Sequence, residues 1–396
     1  MLWPEPGLDA GFERALWAER AGYDDIWLAD AEALPDPITL AAAIGVATTS
    51  CRLCTGIVPV FNRPPPLLAT AVVAAEAQAP GRFALGLGAS TQNMIERWYG
   101  LPFSRPLLRI RETVAMLRQI FAGEKTAFEG RTISSRGFQL KALPSAPVPI
   151  NLAAIGPKML QLAGELADGV MLNDFTPPDR LDWAFAHLDI GAKRAGRRVE
   201  DVEIIKRRAF LVVDDRESAV DFFRHYLGTY GSAPAYQQAM INLGYGATVE
   251  KIRAGYAARD RAAIAGAIPD AMIERLFAFG SEDDCRAVRD ADFAAGVDTL
   301  VVSPQARTAA EFERAAVALT PRRSRRGIEV TGQWGRARVT RTVRIEVEAS
   351  EFIPVTLDQQ VAAVVAERAR TGRIVHIAGI GVTHAVFERD ASRPGQ

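Results

Sequence analysis

Residues 148–173, VPINLAAIGPKMLQLAGELADGVMLN, leave the chain little choice of fold. Val148, Ile150 and Leu152 open an apolar run too short for a helix. Gly156-Pro157 breaks the run and starts a new element. Proline suits a first helical position, because that N–H has no partner inside the helix. Met159, Leu160, Leu162, Ala163 and Leu166 then recur at helical spacing. Asp168-Gly169 punctuates, and Val170, Met171 and Leu172 read as a second buried strand. Two parallel strands need such a crossover helix between them. The turn Ala154-Ile155-Gly156-Pro157 therefore lies at the carboxyl end of a parallel strand, above a helix N-terminus. Unpaired N–H groups and the helix dipole there suit a phosphate. An ordinary strand–helix turn is the alternative reading.

The rest of the chain repeats this grammar. Leu8, Phe12, Leu16, Trp17 and Ala21 make one face of an amphipathic helix. Strands are expected near 25–30, 52–60, 82–88, 148–154, 169–173, 202–213 and 298–303. Helical patterns separate them, at 37–47, 67–78, 106–122 and 178–195 among others. Residues 123–140 read as an excursion with a hairpin, and 217–279 as a helical insertion. Regular alternation of strand and helix predicts a parallel α/β architecture. Seven strands are one short of an eight-stranded (β/α) barrel. A doubly wound sheet is the structural alternative, but the strands are about equally apolar, as in a ring.

Composition narrows the function classes. The chain has 396 residues, 48% hydrophobic and 24% charged, with a formal net charge of zero. A neutral balance argues against a broad grip on nucleic acid. No stretch reads as a membrane span, and MLWPEPGLDAG lacks the basic and apolar regions of a signal peptide. Three cysteines suit a reducing compartment, so a cytoplasmic location is expected. Cys51 and Cys54 form a CxxC, but on a strand they face opposite ways, so packing is favoured over metal ligation. No metal site is expected. His187, His225, His376 and His384 stand apart from other catalytic types. GLGAS lacks the following glycine and helix of a dinucleotide fingerprint.

Several stretches, taken in order, resemble one family. GRFALGLGAS at 81–90 resembles the fourth-strand signature of the bacterial luciferase-like superfamily. LAAIGPKMLQLAGELADGVMLN resembles its fifth and sixth strands. AERAGYDDIWLAD and TGIVPVFNRPPPLLAT are similar to the second and third strand regions, and GSEDDCRAV with GVDTLVVSP to the last helix and strand. The resemblance covers about residues 8–320. Within the superfamily it is nearest the methylene-tetrahydromethanopterin reductase branch, through GSAPAYQQAM and IPDAMIERLFAFGS.

The resemblance implies an α/β fold of (β/α)8 TIM type and a hydride transfer between reduced coenzyme F420, a deazaflavin, and a small organic substrate. Such a reaction holds two flat molecules face to face, with the cofactor carrying the chemistry. It implies a non-proline cis peptide in the third strand, matched here by Gly56–Ile57, flanked by Thr55. Further expected cofactor-binding residues are Asp30, Gly86, Gly88, Ala154, Ile155, Gly156, Pro157 and Lys158. Gly86 and Gly88 admit either close ligand approach or close packing. Asn62, Arg63 and Asn173 are candidates for the substrate pocket. No catalytic residue is assigned, since Ala31 stands where many relatives have histidine. An FMN-dependent monooxygenase and a non-catalytic paralogue on the same barrel are the alternatives. The expected partners are a small-molecule substrate and further copies of the chain as a homo-oligomer, with neither nucleic acid nor membrane.

The two ends depart from the family pattern. Only MLWPEPG precedes the first helix, so the first barrel strand reads as truncated. The expectation is two domains, a barrel over 1–320 and an extension over 321–396. The extension offers strands at 337–347 and 373–387 and a helix at 357–370. The preferred reading is a seam between the strands at 25–30 and 298–303, with a peripheral tail.

Overall fold

The computed structural model describes residues 8–30, 35–306 and 308–321, together with three strands at 328–334, 337–347 and 382–387. The chain divides into two units, Met1–Thr320 and Pro321–Gln396.

The first unit begins with α1 (Leu8–Arg20), β1 (Asp25–Leu28), α2 (Pro37–Ala47), β2 (Arg52–Thr55), β3 (Val58–Pro59) and α3 (Pro65–Glu76). Then come β4 (Phe83–Gly88), α4 (Pro106–Phe121), the hairpin strands β5 (Ala127–Glu129) and β6 (Ser134–Arg136), β7 (Ile150–Ala153), α5 (Pro157–Leu166), β8 (Gly169–Leu172), α6 (Leu181–Arg194) and β9 (Glu203–Val212). Five helices follow: α7 (Arg216–Tyr230), α8 (Pro234–Asn242), α9 (Gly246–Ala258), α10 (Arg261–Gly266) and α11 (Asp270–Leu276). The unit closes with β10 (Ala278–Gly280), α12 (Glu282–Ala294), β11 (Thr299–Pro304) and α13 (Ala309–Ala318). No described helix is long and apolar enough to cross a membrane.

The strands form one parallel ladder in the order β1-β2-β4-β7-β8-β9, with β11 on β9. The result is a TIM-type barrel that is nearly closed. Among the described residues, β1 pairs only with β2 and β11 only with β9. The expected seam is therefore where the described ladder ends. The expected strand over 52–60 is two strands, because the chain bulges inward at Gly56–Ile57 before β3 rejoins β4.

Alternate residues on each strand point inward. Trp27, Cys54, Ala84, Met171, Ile205 and Val301 make the inner apolar layer, with Ile57 and Ala153 against it. Outward residues pack under the helices in a second, larger core that includes Cys51, Leu53, Leu85 and Ile150. Cys51 and Cys54 thus sit in different cores, as their spacing predicts. Below the inner layer, Arg52 ties three strands together. It donates to Asp25 from Nε at 3.0 Å and to Glu203 from Nη1 at 2.8 Å, and Thr299 donates to Glu203 at 2.6 Å.

The second unit contains β12 (Ile328–Trp334), β13 (Ala337–Val347) and β14 (Val382–Phe387), an antiparallel sheet in that order. The expected strand at 337–347 is present. The strand expected at 373–387 is described over 382–387, and the helix expected at 357–370 lies outside the described residues.

Candidate active site

The carboxyl ends of the barrel strands carry the site residues expected from the sequence in three groups. The first surrounds Asp30, just past β1. Arg63 donates to Asp30 at 2.6 Å, to Asp36 at 2.5 Å and to Asn62 Oδ1 at 3.3 Å. Asp36 also caps α2, accepting from the N–H groups of Ile38 at 3.1 Å and Thr39 at 2.8 Å. Burial pushes the Asp30 carboxyl above the usual aspartate range, and Arg63 only partly offsets this. Burial acts the same way on Asp36, but the Thr39 N–H and Arg63 outweigh it and hold that carboxyl low. Arg63 is thus held by two carboxylates of its own chain. Ala31 lies outside the described residues.

The second group is the bulge. Thr55 accepts from the Gly86 N–H at 2.8 Å and donates to the Gly86 carbonyl at 3.0 Å, so its hydroxyl stands in for a ladder bond as β2 leaves β4. The Gly56–Ile57 peptide is cis, as the resemblance implies. A Cβ on Gly86 would lie 1.9 Å from the Thr55 carbonyl oxygen, and one on Gly88 would lie 2.3 Å from Ile57 Cδ1. The room those two glycines leave is filled by the chain's own bulge.

The third group is the turn after β7. Ala154 N–H bonds back to Met171, and the Gly156 carbonyl accepts from Met159 and Leu160. No side chain caps α5. Among the described residues, no bond is made to the N–H of Gly156 or Lys158. A Cβ on Gly156 would meet nothing within 4 Å, and its φ of −108° suits any residue. Neither packing nor backbone conformation asks for glycine here, which leaves an open cradle over a helix N-terminus. Lys158 is exposed beside it, and Ile155 packs against the helical insertion. On the adjacent strand end, Asn173 accepts from the Phe175 N–H at 3.1 Å, an Asx turn that fixes the loop.

A fourth group was not singled out from the sequence. Three consecutive cations, Lys206, Arg207 and Arg208, sit in the middle of β9. Lys206 and Arg208 face outward and share the fully buried Asp292. Arg207 faces inward, above Ile205, and donates to Asp174 at 2.7 Å, to Tyr226 Oη at 2.9 Å and to Ser303 Oγ at 3.2 Å. Asp174 Oδ1 also accepts the Ala209 N–H at 2.8 Å. Tyr226 and Tyr230 are joined through their hydroxyls at 3.0 Å. Phe175 and Tyr236 complete the wall, with ring centroids 5.2 Å apart. The available signal was three charges inside a buried strand, since buried cations demand partners. Among the described residues no cluster could hold a metal ion.

A family model described as luciferase-like monooxygenase matches residues 4–299. A 5,10-methylenetetrahydromethanopterin reductase of Methanolobus tindarius is 29% identical over 68% of this chain and 82% of its own. A putative coenzyme F420-dependent oxidoreductase of Mycobacterium tuberculosis is 30% identical over 76% of this chain and 96% of its own. The solved coenzyme F420-dependent tetrahydromethanopterin reductase of Methanopyrus kandleri superposes with a TM-score of 0.69 at 22% identity, over 81% of this chain and 96% of its own.

Proposed function

The chain belongs to the luciferase-like monooxygenase family and is an enzyme of oxidoreductase type, and from that premise we propose that it transfers a hydride between reduced coenzyme F420 and a small organic substrate, as methylene-tetrahydromethanopterin reductases do. The observation that carries this reading is the cradle at Gly156. It offers unpaired N–H groups, a helix N-terminus and open space at the mouth of a barrel like that of the coenzyme F420-dependent reductase of Methanopyrus kandleri. A phosphate fits that donor set.

When bound, the deazaflavin would supply a two-electron hydride donor, so the protein needs neither a metal nor a nucleophile for that step. The chain's residues bind and orient. Ile155, Gly156 and Lys158 would hold the phosphate. Gly56 and Ile57 form a rigid inward bulge against which a flat ring can rest, buttressed by Thr55, Gly86 and Gly88. Asp30, fixed by Arg63, lies at the same mouth. Asn173 would face the substrate side.

The test is a fluorescence titration with coenzyme F420, on the wild type and on Gly156→Leu. The expected result is binding by the wild type and at least a tenfold loss in the variant, with an unchanged melting temperature. Equal affinity in both would place the phosphate elsewhere. The second reading is an FMN-dependent monooxygenase, favoured by the family's own description. Protein purified with bound yellow FMN and without affinity for the deazaflavin would establish it instead.

A further inference from the structure

The wall built on β9 contains more hydrogen-bond donors than the chain itself uses. Arg207 can only donate, so the Tyr226 oxygen accepts from it. Tyr226 and Tyr230 then share one hydroxyl–hydroxyl bond. Two phenolic protons enter that pair and one bond consumes one of them. Whichever ring donates, one phenolic O–H is left with no acceptor among the described residues. Tyr236 adds another, since its hydroxyl has no hydrogen-bond partner among them. The nearby carboxylate, Asp174, accepts from Arg207 and from the Ala209 N–H and makes no hydrogen bond to a tyrosine among the described residues. Burial keeps both phenols protonated, holding Tyr230 well above the ordinary tyrosine range and Tyr236 at about 12. Tyr236 Oη is not among the enclosed side-chain atoms that lack a partner, so it reaches open space where an acceptor can sit, and the spare proton of the Tyr226–Tyr230 pair needs an acceptor from outside the chain.

Their position says what that is. Arg207 and Ser303 lie on the carboxyl side of Ile205 and Val301, at the rim of the inner layer. In the ladder order, β9 stands four positions from β2, which is half-way round an eight-position ring. The bulge at Gly56–Ile57 and the tyrosine wall therefore face each other across the mouth. A ring resting on the bulge leaves the tyrosine side for the second molecule of the reaction.

We propose that the surplus hydroxyls of the Tyr226–Tyr230 pair and of Tyr236 hold a carbonyl-type oxygen of the hydride-accepting substrate. This deepens the deazaflavin reading and rests on it. Charge narrows the substrate class further. Arg207 is balanced by Asp174, so the wall is neutral overall. Burying a carboxylate there would leave an anion without a cation, which its desolvation opposes. The wall therefore suits a neutral molecule whose carbonyl, lactam or similar oxygen accepts two hydrogen bonds. The tyrosines recognise and orient; no proton transfer is assigned to them.

The experiment uses the full chain saturated with coenzyme F420, with binding of the coenzyme itself measured first. The probes are cyclohexenone, a neutral carbonyl, and cyclohexenecarboxylate, the anion of similar shape. Binding is read by saturation-transfer NMR and by the infrared carbonyl stretch of bound cyclohexenone. The variants are Tyr230→Phe and Tyr236→Phe, which remove one oxygen each and keep the rings. Expected are cyclohexenone binding to the wild type with a carbonyl stretch shifted to lower frequency, and a tenfold weaker affinity with a smaller shift in either variant. Melting temperature and coenzyme affinity should stay unchanged. Equal cyclohexenone binding and an equal shift in all three proteins would overturn the proposal, as would no cyclohexenone binding to the wild type or a preference for the carboxylate. Failure of the wild type to bind coenzyme F420 would instead overturn the functional reading beneath it.

Discussion

At the residue scale, glycines that look alike in sequence do opposite work. Gly86 is required by its own chain, since a Cβ there would meet the Thr55 carbonyl at 1.9 Å. Gly156 is required by nothing in the chain. The prediction follows from those distances. Gly86→Ala should lose about 1–3 kcal/mol in urea unfolding, the usual cost of forcing volume into a packed core. Gly156→Ala should stay within about 0.5 kcal/mol of wild type. Equal losses would mean that the bulge can yield and that Gly86 is not held by Thr55. Arg63 and Arg207 teach the same lesson in charges. Arg63 stands among the substrate-pocket candidates in sequence, and the fold pairs it with Asp30 and Asp36. The sequence passed over Arg207, which the fold sets at the rim of the mouth. Linear sequence shows a cation but not the carboxylates that tertiary contact will bring to it.

At the element scale, the hairpin of β5 and β6 depends on a side chain outside it. Glu112, buried on α4, accepts from the N–H groups of Arg131 at 2.7 Å, Thr132 at 2.8 Å and Ile133 at 3.2 Å, and from the Thr132 hydroxyl. Two short strands alone make a marginal hairpin. Removing the carboxylate in Glu112→Ala leaves several donors unsatisfied, each worth about 1–3 kcal/mol where water cannot replace the bond. The expected outcome is earlier proteolytic cleavage at 130–133 and a lower melting temperature, while coenzyme binding persists. Cleavage at the wild-type rate would show that the hairpin holds itself. The hairpin was legible in sequence from its glycines and position. Its anchor was not, because Glu112 reads as one more polar residue on an amphipathic helix. The strand over 52–60 was legible too, but its division at Gly56–Ile57 came only from the family resemblance.

At the scale of the whole molecule, the Asp25–Arg52–Glu203–Thr299 network joins β1, β2, β9 and β11, the strands on both sides of the seam. Side chains there link strands that the described ladder leaves unpaired. Burial raises the Glu203 carboxyl, but hydrogen bonds from Arg52 and Thr299 outweigh it, and the net shift is downward. A carboxyl held low in the folded state contributes stability above the ordinary glutamate range and loses it as pH falls through the folded value. Glu203→Gln should therefore cost about 1–3 kcal/mol at neutral pH, between the values for exposed and buried pairs. The difference from wild type should shrink on acidification below pH ~4. A constant difference across that range would show that the carboxylate's charge is not what links the strands. By itself the sequence determined the alternation of strand and helix, the parallel α/β class and the strand–turn–helix at Gly156, because local periodicity and turn chemistry are written residue by residue, while the barrel came with the family resemblance. Only tertiary structure decided which charges neutralise one another, which glycines are filled from within, and that β9 and the bulge confront each other across the mouth. Those depend on residues brought together from 31 to 151 positions apart, a distance over which no local pattern carries information.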